Sequence, residues 1–110
     1  MSKSIGDLAE EKACKFLQNK GFEILQKNFY AKKLGEIDII ASKNNIYHFC
    51  EVKSATSYET AILNITSKKL SKLKRSINYY LQVKNLEVPY CLDALIVVEE
   101  QIFHLENITF

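Results

Sequence analysis

Apolar residues recur at three- and four-residue spacing over residues 5–20. Ile5, Leu8, Ala9, Ala13, Phe16 and Leu17 form one stripe there, the pattern of an amphipathic helix. Ser4 with Asp7 three positions on has the form of a capping box, with Asp where Glu or Gln is usual. Lys20-Gly21 supplies a stop, because glycine accepts the left-handed conformation that follows a helix. Residues 22–29 read as a strand, and residues 30–35 as a short basic connector. Two further strand runs, 36–41 and 46–53, flank Asn44-Asn45, a pair that tolerates positive φ and suits a two-residue hairpin loop. Residues 54–65 show no dominant period and read as a loop with a helical turn around residues 59–63. Thr66 is placed to cap a second helix reaching residue 84, with Leu70, Leu73, Ile77, Tyr80 and Leu81 as its stripe. Pro89 precedes an apolar strand over 90–98 interrupted by Asp93; residues 99–101 read as a turn and 102–105 as a last strand. This order predicts an α/β domain, a mixed central sheet with helices on its faces.

The hairpin carries acids where a strand should bury apolar groups. With Asn44-Asn45 as its loop, Asp38 faces Glu51 and Glu36 faces Lys53. Side chains alternate along a strand, so all four lie on one face. Ile37, Ile39, Ala41, Cys50 and Val52 take the other, the expected core side. Opposed residues have Cβ atoms about 5 Å apart, and like charges there are destabilising. A divalent cation shared by Asp38 and Glu51 would offset the repulsion. Mg²⁺ or Mn²⁺ takes oxygen ligands and leaves positions for water and phosphate, so the Val52 carbonyl is a third candidate donor. Lys53 is placed to orient or help deprotonate the attacking water of a phosphodiester hydrolysis and to offset charge on phosphorus. The plainer alternative makes the acids solvated strand residues and Glu36–Lys53 a surface ion pair worth under ~1 kcal/mol. It leaves the two facing acids unexplained.

Composition narrows the class. The 110 residues suffice for one compact domain, residues 1–110, and not for two. With 47% apolar and 25% charged residues, usage is ordinary for a globular protein, which argues against disorder. The net charge of +2 is only mildly basic, but the basic residues are unevenly spread. Lys68, Lys72 and Arg75 share the side of the second helix away from its stripe; Lys69, Lys74 and Lys84 widen the patch, and Lys32-Lys33 add a basic loop. Such residues make salt-sensitive, sequence-independent phosphate contacts, although a solvated helix face reads the same way. Cys14, Cys50 and Cys91 stand far apart without a CxxC pair, so neither a zinc knuckle nor a disulfide framework is expected, and a reducing compartment fits. Cys50 and Cys91 read as small buried hydrophobes, Asp93 as a buried hydrogen-bonding group or sheet-end acid. His48 and His104 have no ligand partner at useful spacing and read as structural. Residues 1–20 lack a signal-peptide core, and no apolar run reaches the ~18 residues of a membrane span; the expected location is the cytoplasm, with no membrane partner.

Several segments together carry a resemblance. They are Gly6-Asp7-Leu8-Ala9-Glu10-Glu11-Lys12-Ala13, Asn28, Gly35-Glu36-Ile37-Asp38-Ile39-Ile40-Ala41, Phe49-Cys50-Glu51-Val52-Lys53, Leu92-Asp93 and His104-Leu105-Glu106-Asn107. The hairpin motifs resemble those of the PD-(D/E)xK nuclease superfamily. Nearly the whole chain resembles the small bacterial YraN-type proteins, the uncharacterised family UPF0102. The resemblance implies a restriction-endonuclease-like αβββαβ core and a Mg²⁺- or Mn²⁺-dependent nuclease acting on DNA, with branched or recombination intermediates among its substrates. The arrangement is also similar to archaeal Holliday-junction resolvases, which use a helical glutamate beside the hairpin acids and act as dimers. That similarity implies Glu10 as a further catalytic acid and a homodimer. Three positions depart from the family's habit. Ala9 stands where it tends to have glycine, Ser54-Ala55 where a basic residue often follows the EVK triplet, and Leu92 where arginine commonly precedes the aspartate. The lost basic positions support an alternative expectation, a non-catalytic nucleic-acid-binding protein on a nuclease fold.

Overall fold

The structure, a computed structural model, describes residues 4–108. Helix α1 (Ile5–Asn19) starts at Ser4, whose side chain accepts a hydrogen bond from the Asp7 amide at 3.1 Å. It ends at Lys20, and Gly21 takes φ +91°, a conformation that favours glycine. Strands β1 (Glu23–Tyr30), β2 (Glu36–Lys43) and β3 (Ile46–Ser54) follow, with a single 3₁₀ turn, Lys32–Leu34, between the first two. Helices α2 (Tyr58–Asn64) and α3 (Ser67–Val83) lead to β4 (Tyr90–Val98) and β5 (Gln101–Leu105).

The strands form one sheet in the order β1-β2-β3-β4-β5. β3 and β4 run parallel, and the other neighbours are antiparallel. A parallel pair needs a long crossover, which α2 and α3 supply. The sheet is covered on both faces. On one, Ala13, Cys14 and Leu17 of α1 pack with Phe22 on Ile39, Ala41, Cys50 and Leu95. On the other, Leu73, Ile77 and Tyr80 of α3 pack on Ile40, Phe49 and Leu92. Two-sided burial explains why β4 reads as an apolar run on both faces, interrupted at Asp93. The result is a mixed α/β fold compatible with a restriction-endonuclease-like core. No helix among the described residues is long and apolar enough to cross a membrane.

The hairpin register is the expected one, from Lys43↔Ile46 to Ile39↔Cys50. Asn44 and Asn45 have φ of 54° and 65°, as a type I′ turn requires. Thr66 caps α3, accepting from the Lys69 amide at 3.2 Å. Two expectations fail. Residues 54–65 are not chiefly loop: the helical turn expected around residues 59–63 is present but belongs to α2, which occupies seven of these residues and is capped by Ser57. Two turns with Ala61 as the buried residue are too short to show a period. Ile37 does not share a face with Ile39; it packs with Ile40 and Phe49 on the α3 side. The strand's strict alternation therefore breaks across Asp38. Phe29, the ladder partner of Ile37, lies on that side too, 4.9 Å from the Tyr80 ring. The left-handed Asn28 just before it, φ 55°, interrupts the alternation of β1.

Candidate functional site

The pairing of β2 with β3 stops at Ile39↔Cys50. At the next residue Asp38 puts a side chain where a ladder bond would be: its Oδ2 accepts the Val52 amide at 2.8 Å. Beyond this point the strands part, and a cavity of about 240 Å³ opens between them and α3. Glu36, Asp38, Glu51, Lys69, Lys72 and Leu73 line it. From the other side of the sheet α1 brings Glu10, so that carboxylate oxygens of Glu10, Glu36 and Asp38 lie within 4.8 Å of one another. A side-chain hydrogen bond from Asn28 holds Glu10. A strand residue presents its N–H and C=O on the same edge. The Val52 carbonyl therefore lies on the β2 edge, where its amide meets Asp38.

Crowded, half-buried acids resist ionisation. Burial, and then repulsion from Glu51, push the Asp38 carboxyl up to about 7 from an ordinary 3.8, against the pull of the Val52 amide. Burial also raises Glu51, with Lys53 and then Lys69 drawing it back. Glu10 is raised by burial and partly offset by Asn28. Perturbed carboxyls gathered in one cleft are the electrostatic mark of a cation site or of acid–base chemistry.

Among the residues singled out from sequence, Asp38, Glu51 and Glu10 are brought together at this opening. Lys53 borders the adjoining crevice, with Glu51, Lys69 and Leu70. Glu36 is not the partner of Lys53: among the described residues the two form no ion pair, and Glu36 joins the acid cluster instead. The splaying of the strands after Ile39 separates that pair. Lys72 of the basic patch lines the cavity, whereas Lys68, Arg75, Lys32 and Lys33 are exposed and do not line it. Lys69 lines the cavity as well. Sequence placed it only in the wider patch, because the rotation of α3 against the sheet is a packing result. Gly35 is what admits α3 so closely: at φ +142°, a Cβ there would lie 3.1 Å from both Lys72 Cε and Ser76 Oγ.

A second group centres on Asp93, which is the buried hydrogen-bonding residue expected; its partners were not foreseen. Buried Asp93 accepts four hydrogen bonds. Its Oδ2 takes His48 Nδ1 and His104 Nε2, each at 2.7 Å; its Oδ1 takes the Asn107 amide at 3.0 Å and the Cys91 thiol at 3.3 Å. Burial alone would raise the Asp93 carboxyl, but these bonds outweigh it and hold it below its ordinary value. The two histidines are therefore not isolated, and Cys91 is a half-buried polar partner rather than an inert hydrophobe. Their sequence separation hides this; the parallel register, which sets His48 beside Cys91, creates it.

Fold and site together define a mixed α/β protein whose central strands part over a cleft of carboxylates rimmed by lysines. The chain belongs to the uncharacterised protein family UPF0102, whose profile matches residues 9–98. It is 64% identical over 109 residues to a UPF0102 protein of Aliarcobacter butzleri, covering 99% of both chains. A UPF0102 protein of Sulfurimonas denitrificans is 52% identical with the same coverage. One of Helicobacter hepaticus is 50% identical over 98% of this chain and 96% of its own.

Proposed function

We propose that this protein is a divalent-metal-dependent nuclease that hydrolyses phosphodiester bonds in DNA, including branched or recombination intermediates. The observation that carries the reading is the opening after Ile39, where Asp38, Glu51 and Glu10 converge beside Lys53, Lys69 and Lys72. The donor set fits a hard cation: it is all oxygen, and the carboxyls repel one another without one. Asp38 and Glu51, with the Val52 carbonyl, would hold Mg²⁺ or Mn²⁺. When bound, the ion supplies Lewis-acid stabilisation of phosphoryl charge and a more acidic water.

The remaining roles belong to the chain itself. Lys53, whose charge already acts on Glu51, offsets negative charge on the reacting phosphate and orients the attacking water. Lys69 and Lys72 lie on the facing helix wall, where they can hold the flanking phosphates. Glu10, anchored by Asn28, completes the acid cluster from α1. Exposed Lys68, Arg75, Lys32 and Lys33 extend the basic surface along which a backbone would lie.

Purified protein incubated with branched, single-stranded and duplex DNA, with and without Mn²⁺, tests this. Metal-dependent cleavage lost in Asp38→Asn and in Glu51→Gln is the expected result. Cleavage indifferent to both substitutions would overturn the assignment. Salt-sensitive binding that survives Asp38→Asn, without cleavage of any substrate, would instead support a non-catalytic nucleic-acid-binding protein.

A further inference from the structure

We propose that His48, Cys91 and Asp93 form a second metal site, suited to a borderline transition ion such as Zn²⁺. It lies on the opposite face of the sheet from the carboxylate cleft. Along β3, His48 points to the side of Phe22 and α1, whereas Glu51 points toward α3.

Three donors of different chemistry meet there. Cys91 Sγ is 3.2 Å from His48 Nδ1 and 3.3 Å from Asp93 Oδ1, and His48 Nδ1 is 2.7 Å from Asp93 Oδ2. With Zn–S near 2.3 Å and Zn–N and Zn–O near 2.0 Å, the edges of a tetrahedral site are about 3.3–3.5 Å. The short contacts use both carboxylate oxygens, Oδ1 toward Cys91 and Oδ2 toward His48, and one donor atom from each of the three residues lies within 4.8 Å of the others, a spread that accommodates those edges. A sulfur and an imidazole nitrogen select Zn²⁺ or Co²⁺ over Mg²⁺, the reverse of the all-oxygen cleft.

Charge and protons balance. A thiolate and a carboxylate neutralise one divalent ion, which suits a buried location. On binding, the Cys91 thiol proton leaves to solvent as the sulfur–metal bond forms. Neutral His48 shifts its proton from Nδ1 to Nε2, which frees the nitrogen lone pair, and Asp93 enters already ionised. Groups behind the donors are in place: His104 Nε2 and the Asn107 amide hold the carboxylate, and the Phe22 ring packs edge-on 4.8 Å from the His48 ring. Such outer partners fix ligand orientation in metal sites. A metal here would fasten β3 to β4 and, through Asp93, to the segment after β5.

Titration of the chelator-stripped full chain with Co²⁺ tests this. The expected result is a thiolate-to-cobalt charge-transfer band that saturates at one equivalent and is removed by Zn²⁺. The band should be lost in Cys91→Ser and kept both in Cys14→Ser/Cys50→Ser and in Asp38→Asn/Glu51→Gln. The last variant separates this site from the proposed nuclease centre. As a second measurement independent of any variant's folding, Zn²⁺ should protect Cys91 of the unaltered protein from alkylation, read by mass spectrometry. Absence of the band, its survival in Cys91→Ser, or alkylation of Cys91 indifferent to Zn²⁺ would overturn the proposal and leave a purely hydrogen-bonded network.

Discussion

Replacing Asp38 by Asn should stabilise the metal-free protein, and the gain should depend on pH. In the unfolded chain this carboxyl ionises near 3.8, and in the fold only near 7, because burial and the neighbouring Glu51 oppose its charge. Folding therefore favours the protonated form. The fold is unpenalised below the lower value, loses stability as pH rises between the two, and carries the whole penalty above the upper one. The difference corresponds to at most about 4 kcal/mol. The substitution removes the charge but keeps an oxygen that can accept the Val52 amide, so the local geometry survives. Urea and thermal melts followed by circular dichroism, in chelator, should show wild type and variant equal near pH 3. By about pH 8 the variant should be ahead. Even half the full effect, about 2 kcal/mol, would raise the Tm by roughly 9 °C for a domain of this size. A stability difference that stayed constant over this range, or a variant less stable at high pH, would refute the account of Asp38 as a crowded, half-buried acid.

Two further substitutions probe the scaffold. Gly35→Ala, at φ +142° and against Lys72 and Ser76, should cost roughly 1–3 kcal/mol. Gly6→Ala in the first turn of α1, where a Cβ meets only Ser4 Oγ at 3.9 Å, should gain up to about 1 kcal/mol. Changes of the same sign in urea denaturation would contradict the close approach of α3 at Gly35. Leu17→Ala removes a fully buried side chain between α1 and the sheet and should cost about 2–5 kcal/mol, seen as a lower urea midpoint at unchanged slope. A loss under about 1 kcal/mol would mean that α1 is not docked as described.

The features legible in the chain alone are local ones. Ser4 and Thr66 cap their helices, Asn44-Asn45 turns the hairpin, and the stripe of α3 and the later part of that of α1 face the sheet, while Ile5 and Leu8 at the start of α1 are exposed. Each depends on interactions within a few residues, so pattern and turn chemistry suffice to read it. The hairpin register belongs to this group, and it brought Asp38 and Glu51 into view as a pair. The short α2 was legible only as a single turn around residues 59–63, because two turns cannot display a period.

Long-range packing set the rest. The parallel alignment of β3 with β4 put His48 against Cys91 and Asp93, and the return of β5 added His104. The docking of α1 carried Glu10 to Asp38 and Glu36, and the parting of β2 from β3 after Ile39 separated Glu36 from its expected partner Lys53. The rotation of α3, admitted by Gly35, turned Lys69 and Lys72 toward the acids. These juxtapositions join residues far apart in the chain. They arise because buried apolar faces fix how the elements stack, and the polar groups at their edges meet wherever that stacking leaves them.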